Sequence, residues 1–193
     1  MKNSLILALS LMVVSCAHTG FRTEDLFKMD EKKVSNLFTC KENKFDKFDF
    51  IIGPWVHDQP GYLVGERYFL RGFIDKKTNR IQQHQIYAET GYQDTDWIFF
   101  ESCVDLKANQ LKCTKIDRTV QNCTGRNCVY KEQMGLDISD NELRSIAKAK
   151  NNYLFALKSK NGEVAEFNID HRYIEAYLRE VDKENRCSFK NKE

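Results

Sequence analysis

The chain has 193 residues, of which 41% are hydrophobic and 30% charged, and this size and composition suit one domain with a buried core. The 30 Lys and Arg residues nearly balance the 28 Asp and Glu residues, so the formal net charge is only +2. Such a balance argues against nucleic acid as a partner. Beyond residue 15 no stretch is long and apolar enough to predict a membrane-spanning helix.

The first fifteen residues have the layout of a secretory signal peptide. Met1-Lys2 supplies a positive start, and Leu5–Val14 is an apolar run with a single polar interruption. The small residue Ser15 follows, directly before a cysteine. Because the apolar run is too short to span a bilayer, we expect residues 1–15 to be removed during export.

The end of this segment, Val13-Val14-Ser15-Cys16, resembles the lipobox of bacterial lipoproteins. The resemblance implies that Cys16 is acylated, becomes the first residue and anchors the chain in a membrane. Ala17 is not the aspartate that retains lipoproteins at the inner membrane in enteric bacteria, so the resemblance favours the outer membrane. The alternative is an ordinary signal peptide that happens to end near a cysteine.

After cleavage we expect a lipidated tether over residues 16–22 and one globular domain over residues 23–193. The domain is predicted to begin with a helix over Thr23–Phe38, since Thr23 can cap it and its apolar residues fall on one stripe. Both prolines and three glycines lie in Ile51–Gly65, which is therefore predicted to be an irregular loop.

The middle of the chain alternates β-rich runs with short polar turns, which predicts an antiparallel meander. Trp97–Phe100 is apolar at every position, so its strand is expected to be central in the sheet. The predicted strands are Glu66–Asp75, Arg80–Glu89, Thr95–Asp105, Gln110–Gln121 and Cys128–Asp137.

The last third of the chain carries clear helix and turn signals. Ser139–Glu142 forms a capping box, which predicts a helix from Asp140 to about residue 149. Asn161-Gly162 predicts a hairpin, and Asp170 can cap a final helix. The fold class expected is α+β: a mainly antiparallel sheet, curled or two-layered, with an N-terminal helix, one before the last hairpin and one at the C-terminus.

Six cysteines remain once the lipidated one is set aside, an even number that indicates disulfides in an oxidising compartment. They contain no C-x₂-C pair and have no histidine close in sequence, so no metal site is predicted. No cofactor is predicted either. The six are Cys40, Cys103, Cys113, Cys123, Cys128 and Cys187.

Six cysteines allow 15 pairings, and their spacing favours one of them. Cys103 and Cys113 can face each other across a hairpin, while Cys123 and Cys128 enclose a polar turn. The remaining two would then tie the beginning of the domain to its end. That bridge would close the longest loop and constrain the unfolded chain most.

The proline-containing loop presents Trp55, His57, Asp58 and Tyr62 close together in sequence. Loops held on a scaffold often carry binding residues, and Trp and Tyr are good anchors for a partner. The alternative, which we favour, is that the two aromatic side chains plug one end of the sheet and His57-Asp58 is a solvated turn.

His84 lies in Gln82–Gln85, an unusually polar strand. Such a strand either lines a cavity or faces water, and the composition favours water. In the first case the cavity would be lined by His84, Tyr87, Trp97 and Phe99 and would suit a small-ligand carrier.

Three further hypotheses rest on charged side chains. An envelope hydrolase would use His57, Asp58 or Glu66, and Glu66 with Glu101 would form a carboxylate pair only if their strands were adjacent. A basic face would attract anionic headgroups or glycans, or would be a solvated edge. Its residues are Lys112, Lys115, Arg118, Arg126 and Lys131.

The stretch Arg118–Glu132, with the capping box, hairpin and final helix after it, resembles uncharacterised envelope proteins of Gram-negative bacteria. This resemblance implies an envelope location and a β-rich fold, without an activity. Together these features predict a non-enzymatic, periplasm-facing lipoprotein of the outer membrane that binds another envelope protein or a glycan. A small-ligand carrier is the alternative, and an envelope hydrolase ranks last.

Overall fold

A computed structural model describes residues 20–57, 64–183 and 187. The predicted signal peptide and Cys16 lie outside these residues. The strands are β1 (Phe21–Arg22), β2 (Thr39–Lys41), β3 (Phe48–Ile52), β4 (Val56–His57), β5 (Gly65–Asp75), β6 (Arg80–Asp94), β7 (Phe100–Asp105), β8 (Gln110–Leu111), β9 (Cys113–Thr124), β10 (Asn127–Ile138), β11 (Tyr153–Ser159) and β12 (Val164–Ile169).

The strands form two sheets that are antiparallel except where β1 pairs with β4. The large sheet has eight strands, with the order β1-β4-β5-β6-β10-β9 and with β3 also paired to β5 and to β2. The small sheet has the order β12-β11-β7-β8. The expectation of a mainly antiparallel β structure is therefore confirmed, and it is divided between two sheets.

The expectation of one continuous meander is wrong. Its third run joins the small sheet, and the strand begins only at Phe100. Trp97–Phe99 is an irregular segment in which Phe99 has a positive φ of 63° and is 44% exposed. The buried carboxylate of Glu132 holds this segment, because it accepts hydrogen bonds from the amides of Phe99 and Phe100 at 2.9 and 3.0 Å.

The N-terminal part of the domain also differs from its prediction. The expected single helix is interrupted before Asp30, whose side chain caps a second short helix by accepting from the Lys33 amide. Phe21 and Arg22, which the sequence prediction assigns to the tether, pair with β4 in the large sheet. The helices are α1 (Thr23–Lys28), α2 (Glu31–Asn36), α3 (Asp140–Ala149) and α4 (His171–Val181).

The predicted irregular loop is partly β structure. Ile51 and Ile52 end β3, and Val56–His57 forms β4, while residues 58–63 lie outside the described part of the chain. The large sheet recruits these residues because β5 is long enough to pair with β3 along one part and β4 along another.

Helix α4 lies against the large sheet and supplies buried tyrosines to the core. The Tyr173 hydroxyl donates to the Pro54 carbonyl at 2.8 Å and accepts from the Leu70 amide at 3.3 Å. The side chain of Asp170 caps the helix by accepting from the Arg172 amide. None of the helices in the described residues is both long and apolar enough to cross a bilayer.

Three disulfides join the six cysteines in the pairs that their spacing favours: Cys40–Cys187, Cys103–Cys113 and Cys123–Cys128. The first joins residues 147 positions apart and fixes the segment after α4 to β2. The second connects β7 of the small sheet to the start of β9 in the large sheet.

Candidate functional site

His84 is the most unusual side chain on the inner face of the large sheet, the face that packs against α4. It is only 5% exposed, and its Nδ1 atom lies 2.8 Å from the Tyr177 hydroxyl of α4. Gly72 on the neighbouring strand β5 leaves space for this contact, because a Cβ atom at that position would lie 2.7 Å from the Tyr177 hydroxyl. The sheet and α4 can approach closely at His84 because of this glycine.

Two further elements bring charged groups to the other side of the imidazole. Nε2 of His84 lies 3.5 Å from Oδ1 of Asp140, the first residue of α3. Arg144, one turn further along α3, binds Asp140 at 2.8 Å. It also reaches Asp182 at the end of α4, with distances of 3.0 and 2.7 Å. His84 therefore lies where β6, α3 and the end of α4 meet.

A cavity of about 470 Å³ opens beside this cluster. Ile51, Ile74 and Ile81 supply an apolar wall. The ionic wall includes Glu180, which is 3% exposed and bound to Lys183 at 2.6 Å. The volume falls within the range of about 300–1,000 Å³ that is usual for small-molecule sites.

The electrostatics keep His84 neutral and its neighbours charged. Burial lowers the pKa of His84 below its ordinary value, and the attraction of Asp140 only partly offsets this. Hydrogen bonds from Arg144 lower the pKa of Asp182. The imidazole at neutral pH is therefore a buried, uncharged hydrogen-bonding group beside an ion-paired rim.

The described lining of the cavity is made of charged, amide and apolar side chains around one buried imidazole. The described residues that line the cavity include no serine or threonine, and Cys187 is bonded to Cys40. His84 already uses Nδ1 on Tyr177, so it is not paired with a nucleophile there. The described residues also contain no group of three or more metal-ligating side chains.

The composition-based expectation that His84 faces water is wrong, because α4 covers it. The four-residue pocket expected around it is also wrong. Strand β6 alternates from His84 onwards, so Tyr87 points to the outer face, where it stacks on Phe69 at 4.6 Å. Trp97 packs instead on Tyr130, with ring centroids 4.6 Å apart.

Trp55 packs on the outer face of the large sheet. Its ring meets Phe69 edge to face at 4.5 Å and lies 4.3 Å from the Arg67 guanidinium. Nε2 of His57 lies 3.0 Å from the Gly20 carbonyl, while Nδ1 of His57 is buried and makes no hydrogen bond within the described residues. Asp58 and Tyr62, the other candidates of this loop, lie outside the described residues.

The carboxylate-pair hypothesis fails because its two strands belong to different sheets. Glu66 lies on β5 of the large sheet, whereas Glu101 lies on β7 of the small sheet and binds Lys115 at 3.2 Å. Glu66 and Glu101 therefore do not form the carboxylate pair that adjacent strands would have allowed.

The basic face is largely neutralised. Four of its five cations bind carboxylates at 2.7 to 3.4 Å, and Arg126 is exposed at a turn. The neutralised pairs are Lys112–Asp137, Lys115–Glu101, Arg118–Glu132 and Lys131–Glu89.

Sequence reasoning identified His84 but missed the partners that make it a site. The capping box predicts for Asp140 only a place at the start of a helix. Arg144 sits four residues after Asp140, a spacing that indicates an ion pair within the helix. No local signal showed that this pair would meet His84, 56 positions before Asp140 in the chain.

Comparisons with protein-family models, with curated proteins and with solved structures found no match.

Proposed function

We propose that this chain is a lipoprotein of a Gram-negative envelope, anchored to the outer membrane through acylated Cys16, whose periplasm-facing domain binds another molecule without catalysing a reaction. The observation that carries the binding function is the cavity beside His84. It combines an apolar wall with a neutral imidazole and an ionic rim. The three disulfides support an oxidising compartment.

The shape and lining favour a small amphiphilic ligand. Isoleucine side chains would hold an apolar body, while the His84 imidazole and the rim around Arg144 would orient a polar head. A partner protein or glycan of the envelope is the second candidate, and it would insert one side chain or sugar into the same cavity.

The anchor is tested in cells. A chain with Cys16 intact is expected to incorporate labelled palmitate and to fractionate with the outer membrane, and the Cys16→Ser variant is expected to do neither. Incorporation into both chains, or into neither, would contradict the proposed anchor. Crosslinking in intact cells then separates the two candidates, since a single abundant protein lost with Cys16→Ser favours a partner protein.

The cavity is tested by native mass spectrometry of protein purified from its own envelope. We expect a small-molecule adduct on the unmodified chain and its loss in Ile81→Trp, which fills the cavity. Val164→Trp is the matched control, because Val164 is 48% exposed on β12 and is not among the cavity residues. An adduct that survives Ile81→Trp, or no adduct at all, would argue against the carrier.

A further inference from the structure

The start of the described chain lies close to the predicted anchor. Four residue steps separate Cys16 from Gly20, and a fully extended chain spans at most about 3.6 Å per step, or ~14 Å in total. If Cys16 is acylated, as proposed above, Gly20 must lie within that distance of it. The domain therefore cannot move far from the bilayer surface, and the residues around Gly20 stay within reach of it.

Gly20 lies directly against Trp55. A Cβ atom on Gly20 would be 3.3 Å from the Trp55 Cβ, and the Phe21 amide donates to the Trp55 carbonyl at 2.8 Å. The partly exposed Trp55 ring lies on the outer face of the large sheet, with the Arg67 guanidinium over it. A Trp ring beside a cation is the combination typical of membrane–water interfaces.

The strand register extends this patch to the edge of the sheet. Arg22 of β1 pairs with His57 of β4, and His57 pairs with Arg67 of β5, so the three side chains lie in one row on the outer face. Arg22 is exposed at the edge strand. The exposed guanidinium of Arg22 suits the phosphates of lipid headgroups, whereas that of Arg67 is paired with Glu89 beneath the sheet surface and supports the Trp55 ring.

The opposite side of the molecule is remote from the anchor. Strand β9 is five strands away from β1, which corresponds to roughly 24 Å at a strand spacing of about 4.8 Å. Trp97 lies on the inner face, because it packs on Tyr130, and Tyr130 pairs with Tyr92 on the same face as His84. The two tryptophans of the chain therefore lie on opposite faces of the large sheet.

We propose that the lipid-anchored protein lies with its β1–β4 edge on the bilayer, where Trp55 enters the headgroup layer and the exposed Arg22 contacts lipid phosphates. This orientation rests on the proposed acylation of Cys16. It leaves the His84 cavity, on the other face, open to the periplasm.

The two tryptophans provide the test. Full-length lipidated protein is reconstituted into vesicles of phosphatidylethanolamine and phosphatidylglycerol with brominated acyl chains, which quench nearby tryptophan emission. Trp97→Phe reports on Trp55 alone, and Trp55→Phe reports on Trp97 alone. We expect quenching of Trp55 to be about threefold stronger than quenching of Trp97, because interfacial aromatic rings lie at headgroup depth.

Vesicle flotation separates the two levels of the proposal. Protein that fails to float overturns the anchor, and the orientation with it. Protein that floats while Trp97 is quenched as strongly as Trp55 overturns the orientation alone.

A Gly–Ser spacer of ten residues after residue 19 adds roughly 17 Å of reach, so it is expected to keep flotation and to weaken Trp55 quenching at least about twofold. Unchanged quenching with the spacer would mean that the tether does not set the orientation, which also overturns the proposal.

Discussion

Strand β6 presents His84 to one face of the large sheet and Glu89 to the other, and both side chains are almost fully buried, at 5% and 2% exposed. Glu89 is surrounded by partners from neighbouring strands: Arg67 at 2.7 Å, Gln133 at 2.7 Å and Lys131 at 3.4 Å. His84 has the Tyr177 hydroxyl at 2.8 Å on one side and the Asp140 carboxylate at 3.5 Å on the other, and it borders a cavity.

The pKa values of the two groups show the same contrast. Burial raises the pKa of Glu89, but the hydrogen bonds and charges of Arg67, Gln133 and Lys131 outweigh it and the pKa ends below its ordinary value. For His84 burial dominates, and the pKa is lowered towards the neutral form. The cavity lies on the face that α4 covers, beside His84, and not beside Glu89.

The largest expected effect concerns the disulfide beside the cavity. Replacing Cys40 and Cys187 by serine should lower the free energy of unfolding by about 5 kcal/mol, because the bridge closes a loop of 147 residues. The matched variant, Cys123→Ser with Cys128→Ser, opens a loop of only 5 residues and should cost about 2 kcal/mol. Urea denaturation measures both. Equal losses would mean that loop length does not set the stabilisation.

Glu89→Ala should disrupt the polar network on the outer face of the large sheet. This change leaves Arg67 and Lys131 largely buried without their carboxylate, so we expect a loss of about 3–5 kcal/mol in urea denaturation. Glu101→Ala is the control, since Glu101 binds exposed lysines, and its loss should be much smaller than that of Glu89→Ala. Similar losses for the two variants would show that burial of the network is unimportant.

Removing one tyrosine hydroxyl on each face sharpens the comparison. Tyr177→Phe removes the hydroxyl partner of the buried Nδ1 atom of His84 and should lower the free energy of unfolding by about 1–2 kcal/mol. Tyr87→Phe removes the bond to Gln133 on the outer face, where both side chains are only partly buried and water can replace it, so the cost should be about 0.5 kcal/mol. Thermal unfolding at neutral pH measures both, and a larger loss for Tyr87→Phe would reverse the contrast.

The smallest expected effect is a pH dependence of the free energy of unfolding, which arises from His84 on the inner face. Because the folded-state pKa of His84 lies below its unfolded value, the unfolded chain binds a proton more readily. The contribution of His84 to the free energy of unfolding should therefore be fully present above about pH 6.5 and should be lost as the pH drops below that value. Carboxylates such as Glu89, with lowered pKa values, lose their contribution only near pH 4 and below.

The measurement is urea denaturation between about pH 5 and pH 7, with His84→Gln as the test. The slope of stability against pH should flatten in this variant relative to the unmodified chain, because the lowered pKa of His84 is removed. A slope that is unchanged by His84→Gln would mean that another group titrates in this window.

Several local features followed from the sequence because neighbouring residues decide them. Ser139 accepts from the Glu142 amide, as its capping box predicts. Gly162, with a φ of 89°, lies in the turn between β11 and β12 that Asn161-Gly162 predicts. The spacing of Cys103, Cys113, Cys123 and Cys128 favoured the observed bridges because short loops bring such pairs together.

The errors came from long-range packing. Trp97–Phe100 has the composition of a central strand. Glu132, which lies 32 residues after Phe100, accepts hydrogen bonds from the Phe99 and Phe100 amides, and the chain continues from there into the small sheet. His84 looked solvent-facing because its strand neighbours are glutamines, and only the docking of α4 buries it. Neither event leaves a local pattern.

The sequence by itself therefore determined the caps of α3 and α4, the hairpin turn, the two short-range disulfides and the β-rich character of this protein, since each depends on residues close in the chain or on composition. Only the tertiary structure decided which sheet each strand joined, which face of β6 received α4 and where a cavity remained. Those choices depend on side chains far apart in the chain, such as His84 and Tyr177 at 93 positions and Pro54 and Tyr173 at 119, and so on packing that no local periodicity encodes.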